Sequence, residues 1–228
     1  MLLGVPGRAR GSLRRTERLL TLDPVSVSRQ PAPAASARAA DARSRLLDAA
    51  VTAFAERGFH GTTTRDIAAA AGISPAALYV HHRSKEELLY GISRAGHQRT
   101  LDLVERAAAG TADHRERLGR VAADFVRHHA RARTTARISN YELEALGPEH
   151  RAEIEGLRRA ISARVVGVIE DGARAGVFVP GDARMTAAAL LSLGIDLARW
   201  FDDARGWDPD TLAAHYRELA LRMVGATG

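Results

Sequence analysis

The residues with the clearest capacity for binding chemistry in this 228-residue chain lie between Gly61 and Leu89. This stretch contains several hydroxyl side chains, one tyrosine, two adjacent histidines and Lys85, the single lysine of the chain. Hydroxyl, phenol and ammonium groups can hydrogen-bond phosphate oxygens, and small side chains let a helix approach base edges closely. We therefore interpret the stretch as a candidate nucleic-acid-binding segment.

Catalytic chemistry has much weaker support in the sequence. The chain has no cysteine, no H-E-x-x-H motif and no glycine-rich phosphate loop. The pairs His81-His82 and His128-His129 are adjacent, and neighbouring helical positions point about 100 degrees apart, which suits shared metal ligation poorly. A helical enzyme of acyl metabolism is thus a remote alternative, and we expect no enzymatic activity, cofactor or metal.

The elements that position this stretch can be predicted from spacing and capping signals. Apolar residues at intervals of three and four predict a helix over residues 41–57, which Gly58 can close in a left-handed conformation. Thr63 and Asp66 have the spacing of a capping box and predict a second, short helix. Gly72 then provides a tight turn.

A third helix is predicted directly after that turn. Ser74 is a suitable N-cap and Pro75 suits the first helical position, so a short helix should run to about His81 with Leu78 pointing inward. Its remaining side chains are mostly small and would face a groove. A further capping box beginning at Ser84 predicts a long fourth helix.

The segment 43–89, with GTTTRDIAAAAGIS followed by LYVHHRSKEELL, resembles the DNA-binding domain of TetR-family transcriptional regulators. The resemblance implies a three-helix helix-turn-helix domain and double-stranded DNA as the partner. It departs from the family at His82, where a phenylalanine is common, so packing there should be looser or hydrogen-bonded. Carried over by position, it implies phosphate or base contacts from Thr63, Thr64, Arg65, Ser74, Ala76, Ala77, Tyr79, His81 and Lys85.

The rest of the chain is expected to be all-α as well. Hydrophobic residues make up 46% of the sequence, aromatic residues only 5%, and no strand pattern is evident. Further helices are predicted over residues 86–109, 113–132, 134–146, 148–175, 182–204 and 209–224. The last two are apolar on more than one edge, which favours a homodimer built as a four-helix bundle; packing within one subunit is the alternative.

Charge is distributed unevenly along the chain. Of the formal net charge of +6, +5 falls in residues 1–40 and none in residues 41–90, so the DNA interpretation depends on geometry and not on bulk charge. We predict residues 1–40 to be a disordered basic tail; a DNA-binding arm and a misassigned start are the alternatives. No apolar run is long enough to cross a membrane, and a cytoplasmic location is expected.

We expect residues 41–88 to form the DNA-binding domain and residues 89–228 an effector-binding and dimerisation domain. Within the latter, YELE, DGARAGVF and ARWF resemble regulators of fatty-acid or steroid breakdown that respond to acyl-CoA thioesters. Core packing is the alternative role for each apolar residue there. The candidate ligand contacts are Phe125, Tyr141, Ile161, Val165 and Trp200.

The sequence thus predicts a homodimeric repressor that binds a palindromic operator and is released by a small apolar or acyl-CoA-like effector. A DNA-binding activator or DNA-organising protein of the same fold, acting without a ligand, is the alternative.

Overall fold

The computed structural model describes residues 33–202 and 206–226, with backbone alone for 33–39. Within these ranges all regular structure is helical, which confirms the all-α prediction. A short 3-10 turn, Leu143–Ala145, is the remaining regular element there. The α-helices are Pro33–Arg57 (α1), Thr64–Ala70 (α2), Pro75–His81 (α3), Lys85–Ala109 (α4), His114–Arg131 (α5), Arg133–Tyr141 (α6), Pro148–Arg174 (α7), Ala183–Trp200 (α8) and Pro209–Met223 (α9).

The first helix differs from its prediction at the start and agrees at the end. It begins at Pro33 and not near Asp41, so the last part of the predicted tail is helical. The rest of that tail, residues 1–32, lies outside the described residues. The helix ends at Arg57, and Gly58 follows with φ +70, the left-handed conformation that glycine adopts without steric strain.

Two later helices end earlier than predicted, because a large side chain after each helix is buried only when the backbone leaves the helical conformation. α6 ends at Tyr141, and the 3-10 turn that follows brings Leu146 into a buried position. α8 ends at Trp200, where Phe201 takes an extended backbone and its ring becomes buried. Burial of one large apolar side chain stabilises by about 1.5–3 kcal/mol, which exceeds the contribution of one more helical residue.

Helices α1 to α3 pack around one apolar core with the start of α4. Leu46 and Phe54 of α1, Ile67 of α2 and Leu78 of α3 are all fully buried in it. The same core continues into the second half of the chain through Ile138, Leu146 and Ile154. The two predicted domains are therefore joined by continuous apolar packing as well as by α4.

The second half is a helical body in which α5 is central. α5 packs against α4, α7, α8 and α9, with the α5–α9 pair making the most extensive contact. Gly194 of α8 allows close packing here, because a Cβ atom at this position would lie 2.6 Å from the Phe125 ring. No helix among the described residues has the length and apolar character needed to cross a bilayer.

Candidate DNA-binding surface and effector cavity

The N-terminus of α2 is held by a reciprocal capping box. The Thr63 hydroxyl accepts a hydrogen bond from the Asp66 backbone N–H at 3.2 Å, and the Asp66 carboxylate accepts from the Thr63 backbone N–H at 3.0 Å. The Thr63 hydroxyl also donates to the Asp66 carboxylate at 2.7 Å, and this bond, together with the one from the Thr63 backbone N–H, lowers the pKa of Asp66. Thr64 is the first residue of α2 and is half-buried, and Arg65 beside it is exposed. Arg65 forms no ion pair with any described residue.

A tight turn places α3 against α2. Gly72 has φ +69, and the N–H of Ile73 donates to the carbonyl of Ala68 at 3.0 Å, which closes the end of α2. Ser74 then caps α3, its hydroxyl accepting from the N–H of Ala77 at 3.1 Å. The cap therefore occupies the Ser74 hydroxyl, while the preceding turn fixes the direction in which α3 points.

α3 buries one residue and exposes most of the others. Leu78 is fully buried, whereas Ala76 is exposed, Tyr79 is 53% exposed and Val80 is 80% exposed. Ala76, Tyr79 and Val80 stand three and four positions apart, so they share one helical face. Val80 was not predicted as a contact residue from the sequence. Its spacing of four residues from Ala76, which places both on one helical face, could have indicated this role.

The Tyr79 phenol oxygen and the Thr64 hydroxyl oxygen are 3.1 Å apart and form a hydrogen bond between α3 and the first turn of α2. This bond holds the phenol at the edge of the exposed α3 face, where it retains capacity for a second hydrogen bond. Ala77 and His81, also predicted as contacts, are half-buried. The nine predicted contact residues thus lie on α2, α3, their N-caps and the first residue of α4.

Lys85 has a structural role that the sequence did not indicate. Its ammonium group donates to the carbonyl oxygen of Phe59 at 2.8 Å and to that of Thr62 at 2.9 Å. It also lies 4.4 Å from the centroid of the Phe59 ring. Two of its three N–H groups are therefore used inside the protein, and one remains for an external anion.

The start of α4 differs from the predicted reciprocal capping box. The Ser84 hydroxyl accepts from the Glu87 N–H at 3.1 Å as expected. The Glu87 carboxylate, however, accepts from the N–H of Arg83 at 2.5 Å and not from that of Ser84. Ser84 has a fully extended backbone, with φ −157 and ψ 167, and the carboxylate reaches the amide of the residue before the cap.

His82 occupies the position where the sequence departs from the family pattern. Its side chain is buried, and neither ring nitrogen has a hydrogen-bond partner in the described part of the chain. Burial lowers its pKa, so the ring is neutral near pH 7. Of the two alternatives, the hydrogen-bonded one is not observed, and the imidazole takes the place of an apolar plug.

A polar junction joins the start of α4 to the start of α7. The Glu86 carboxylate accepts from the Gly147 N–H at 2.9 Å and lies 2.8 Å from Nδ1 of His150. The Tyr90 ring stacks on the His150 ring with centroids 3.8 Å apart. Glu153 accepts hydrogen bonds from the Tyr90 hydroxyl and from Nε of Arg94, one turn further along α4. A shift of α7 relative to α4 would therefore act on the N-terminal end of α4, which packs against α1.

A cavity of about 310 Å³ lies in the helical body, among α4, α5, α6, α7 and α8. Two of the five predicted ligand contacts line it, Phe125 and Ile161. The residues that the sequence did not indicate are mostly polar. They include Arg99, His97, His128, His129, Thr135, Ser139, Asn140, Arg158, Arg159 and Ser162.

The other three predicted ligand contacts, Tyr141, Val165 and Trp200, lie outside this cavity. Val165 is buried beside a separate void of about 20 Å³. Tyr141 is partly exposed, and its hydroxyl hydrogen-bonds Asp196 at 3.2 Å. Trp200 packs edge-on against Trp207, with ring centroids 6.4 Å apart. Apolar type alone did not separate cavity residues from core residues, because both occur at the same helical spacing.

The closed end of the cavity has two buried histidines. Nδ1 of His97 lies 2.8 Å from the Ser93 carbonyl oxygen, and Nδ1 of His129 lies 2.8 Å from the Phe125 carbonyl oxygen. A carbonyl can only accept, so each Nδ1 carries the proton and each Nε2 of the neutral ring is an acceptor. Burial lowers the pKa of His97, and it lowers the pKa of His129 to about 4. Both rings are therefore neutral at pH 7.

These acceptors lack partners within the described structure. Nε2 of His97 and Oγ of Ser139 are buried without a hydrogen bond. Nε2 of His129 is not among these fully buried unpaired atoms, but the bond of His129 within the described residues uses Nδ1 and leaves Nε2 as an acceptor. An unsatisfied buried polar group costs about 1–3 kcal/mol. Gly96 contributes to the close packing here, because a Cβ atom at this position would lie 2.8 Å from Oγ of Ser139.

The open side of the cavity is basic. Arg99 and Arg159 are exposed, and half-buried Arg158 donates to Oδ1 of Asn140 at 3.1 Å. Arg99 forms no ion pair with the residues that the structure describes, and Arg159 has only an exposed pair with Glu155 at 3.8 Å. No acidic residue lines the cavity. The cavity thus combines apolar side chains such as Phe125 and Ile161, buried neutral acceptors and exposed guanidinium groups.

Family models match both halves of the chain. Residues 46–91 match the model described as bacterial regulatory proteins, tetR family. Residues 111–224 match the model described as the tetracyclin repressor-like C-terminal domain. The first match covers the helix-turn-helix and the second covers the helices that enclose most of the cavity.

Individual relatives agree with these matches. The transcriptional activator FasR of Mycolicibacterium smegmatis is 30% identical over 74% of this chain and 76% of its own length. The transcriptional repressor KstR2 of Rhodococcus jostii is 29% identical, over 78% of this chain and 89% of its own. A crystal structure of a tetR-family regulatory protein from Rhodococcus RHA1 is 43% identical, with a TM-score of 0.79, covering 82% of this chain and 98% of that one. These relatives are transcriptional regulators and not enzymes.

Proposed function

Because this chain belongs to the TetR family of bacterial transcriptional regulators, we propose that it binds a palindromic operator as a homodimer and that an acyl-CoA-like effector controls this binding. The proposed site of action is the cytoplasm, where the operator DNA is. The observation that carries the proposal is one body of helices that encloses a cavity and is bonded, through Glu86 and His150, to the DNA-binding helices.

We assign DNA recognition to α3. Its exposed face, with Ala76, Tyr79 and Val80, has no charged side chain to obstruct close approach, and small residues allow backbone to come near base edges. Tyr79, Thr64 and exposed Arg65 would contact phosphates and fix the position of the helix in the major groove. The alanines and Val80 would contact bases, with thymine methyl groups as the matching surface.

We assign dimerisation to the outer faces of α8 and α9. Met185 is 71% exposed and Leu193 is 41% exposed on α8, which has the most apolar composition of the helices from α4 onwards. α8 and α9 each pack on α5 and present their opposite faces outward. A two-fold axis through these faces would form a four-helix bundle and set two α3 helices about 34–36 Å apart, one turn of DNA.

The cavity supports a coenzyme A thioester as effector. Its apolar walls suit an acyl chain, and Arg99 and Arg159 at the open side suit phosphate groups. An effector can release DNA only if it binds more tightly to the dimer conformation in which the two α3 helices are wrongly spaced for the operator. To invert a 99:1 ratio of DNA-binding to released conformations, the effector must bind the released conformation about 10⁴-fold more tightly. We propose that α4 transmits effector binding to the DNA-binding domain, because α4 begins at that domain and its Arg99 lines the cavity.

The test is operator affinity, measured by fluorescence anisotropy on a duplex selected from random DNA by the purified protein. A CoA thioester should weaken binding at least tenfold, whereas free coenzyme A should not. Ser162→Phe fills the cavity and should abolish the response while DNA binding remains. Ala163→Phe, on the exposed side of the same helix, is the matched control. If no thioester changes affinity, the protein acts as a ligand-independent regulator.

A further inference from the structure

The closed end of the cavity contains hydrogen-bond acceptors that an ordinary saturated acyl chain cannot satisfy. His97, His129 and Ser139 are each at least nine-tenths buried, and all three line the cavity. We propose that the effector is a hydroxylated acyl thioester whose chain hydroxyl donates a hydrogen bond to Nε2 of His129. This inference rests on the proposed function, because it specifies the acyl class for the same site.

The protonation pattern of the two histidines makes each Nε2 an acceptor, so a ligand group that pairs with it must donate. Each Nδ1–H is used by the carbonyl oxygen four residues earlier, that of Ser93 for His97 and that of Phe125 for His129. This arrangement leaves the lone pair of Nε2 unpaired on both rings. The low pKa of His129, about 4, keeps its ring from supplying its own proton near neutral pH. A ligand group that pairs with Nε2 at this end of the cavity must therefore be a hydrogen-bond donor.

The lining argues against an ammonium group or a carboxylate as the group that meets His129. An ammonium group would be repelled, because the charged residues that line the cavity are Arg99, Arg158 and Arg159, without an acidic residue. A carboxylate would direct lone pairs at the lone pair of Nε2 on His129. A hydroxyl group is neutral, donates one hydrogen bond and accepts others, and Ser139 can donate to it.

The position of the polar groups determines where the hydroxyl lies on the ligand. Arg99 and Arg159 are exposed and mark the open side, whereas His97 and His129 are buried. Phosphate groups at the arginines would leave the acyl chain to enter the buried part of the cavity, where Phe125 and Ile161 lie with the histidines. The hydroxyl therefore belongs on the acyl chain, toward its far end, and not on the coenzyme.

The experiment compares matched ligands by isothermal titration calorimetry. Short- and medium-chain CoA thioesters are used in pairs, one saturated and one with a terminal hydroxyl. Wild type should bind the hydroxylated member of at least one pair about tenfold or more tightly, because the saturated member leaves Nε2 of His129 unpaired. The stronger ligand should also cause the larger loss of operator affinity.

Variants of His129 test whether this residue causes the preference for the hydroxylated thioester. His129→Leu removes the acceptor and should abolish the preference while binding of the saturated thioester is kept or improved. His129→Gln restores an acceptor and should recover part of the preference. Arg164→Leu, at an exposed residue of α7 that does not line the cavity, is the control. Ser139→Ala is a second, milder variant should His129→Leu fail to fold, and it should reduce the preference.

The outcomes separate the two proposals. Equal binding of both members of every pair would overturn the hydroxyl inference and leave acyl-CoA control intact. A preference that survives in His129→Leu would also overturn it. If no thioester binds, the effector class is wrong and both proposals fail.

Discussion

The ammonium group of Lys85 lies 2.8 Å from the carbonyl oxygen of Phe59 and 4.4 Å from the centroid of the Phe59 ring. With a second bond to the Thr62 carbonyl at 2.9 Å, it fixes the loop between α1 and α2 to the first residue of α4. The single lysine of the chain is thus part of the internal structure of the DNA-binding domain, with one N–H group left for a phosphate.

Lys85→Ala should lower the free energy of unfolding by about 1–3 kcal/mol, because two partly buried carbonyl groups lose a charged donor. Urea denaturation followed by circular dichroism measures this change. Arg83→Ala, an exposed neighbour, is the control and should leave stability within about 0.5 kcal/mol. Equal stability of the wild type and Lys85→Ala would contradict the structural role.

The same Lys85→Ala variant tests the phosphate contact separately. If the remaining N–H binds a phosphate, the slope of log affinity against log salt should fall by about one unit. The slope is measured over a salt series with a fixed operator, under conditions in which the variant is folded. A parallel loss of affinity at all salt concentrations, with the slope unchanged, would restrict Lys85 to its internal bonds.

Tyr79→Phe should weaken operator binding by about 2- to 10-fold, because it removes a hydroxyl that bonds Thr64 and would bond a phosphate. Thr64→Val removes the partner of this bond. If Thr64 positions the phenol, the double variant should lose less than the sum of the single losses. Fully additive losses would show that the two hydroxyl groups act independently. Anisotropy titrations measure all four proteins.

Val80 should contact a thymine methyl group, because its side chain is 80% exposed on the proposed recognition face. Replacing single thymines in the operator by deoxyuridine removes the methyl and should weaken wild-type binding at one position in each half-site. Val80→Ala should bind the operator with thymine at that position and the operator with deoxyuridine there with equal affinity. A wild-type protein insensitive to every such replacement would place Val80 away from the bases.

Leu193→Asp should convert the dimer to a monomer, because it places a charge in the proposed apolar interface on α8. Sedimentation velocity measures the change in mass. Operator affinity should fall by about 10³-fold or more, since one half-site contact is lost. Ser192→Asp places the same charge on an exposed residue of the same helix that lines the cavity, and shows whether the effect requires this apolar position. A dimeric, tightly binding Leu193→Asp protein would require a different interface.

Acid should destabilise the protein through His129. Burial lowers the pKa of His129 to about 4, below the ordinary value near 6.5, so between these values the unfolded chain binds a proton that the folded protein does not. The free energy of unfolding should therefore fall as pH drops from about 6.5 to 4, by up to roughly 3 kcal/mol. His129→Leu should reduce this dependence in urea denaturation at pH 7 and pH 5, because His82 and His97, whose pKa values burial also lowers, contribute the rest. An unchanged slope would exclude His129 as its source.

The helix-turn-helix could be predicted almost residue by residue because its signals are local. The cap at Thr63, the turn at Gly72 and the cap at Ser74 each depend on a few neighbouring residues, and the structure confirms all three. The Ser84 cap was half correct, since the partner of Glu87 depends on how the chain bends before α4. Helix ends at Tyr141 and Trp200 were predicted too late, because distant packing determined them.

The cavity was predicted poorly because its lining comes from five helices. Phe125 and Ile161 were identified and lie there, while Tyr141, Val165 and Trp200 lie elsewhere. Nothing local distinguishes a histidine that faces a cavity from one that fills a core.

The sequence by itself determined the helices, the turn between α2 and α3 and the family, because capping, glycine conformation and apolar spacing act over a few residues. Only the tertiary structure decided that Lys85 bonds the Phe59 carbonyl, that His97 and His129 line one cavity, and that Glu86 meets His150. These contacts join residues far apart in the chain. Their geometry depends on how whole helices pack, which residue type and spacing do not specify.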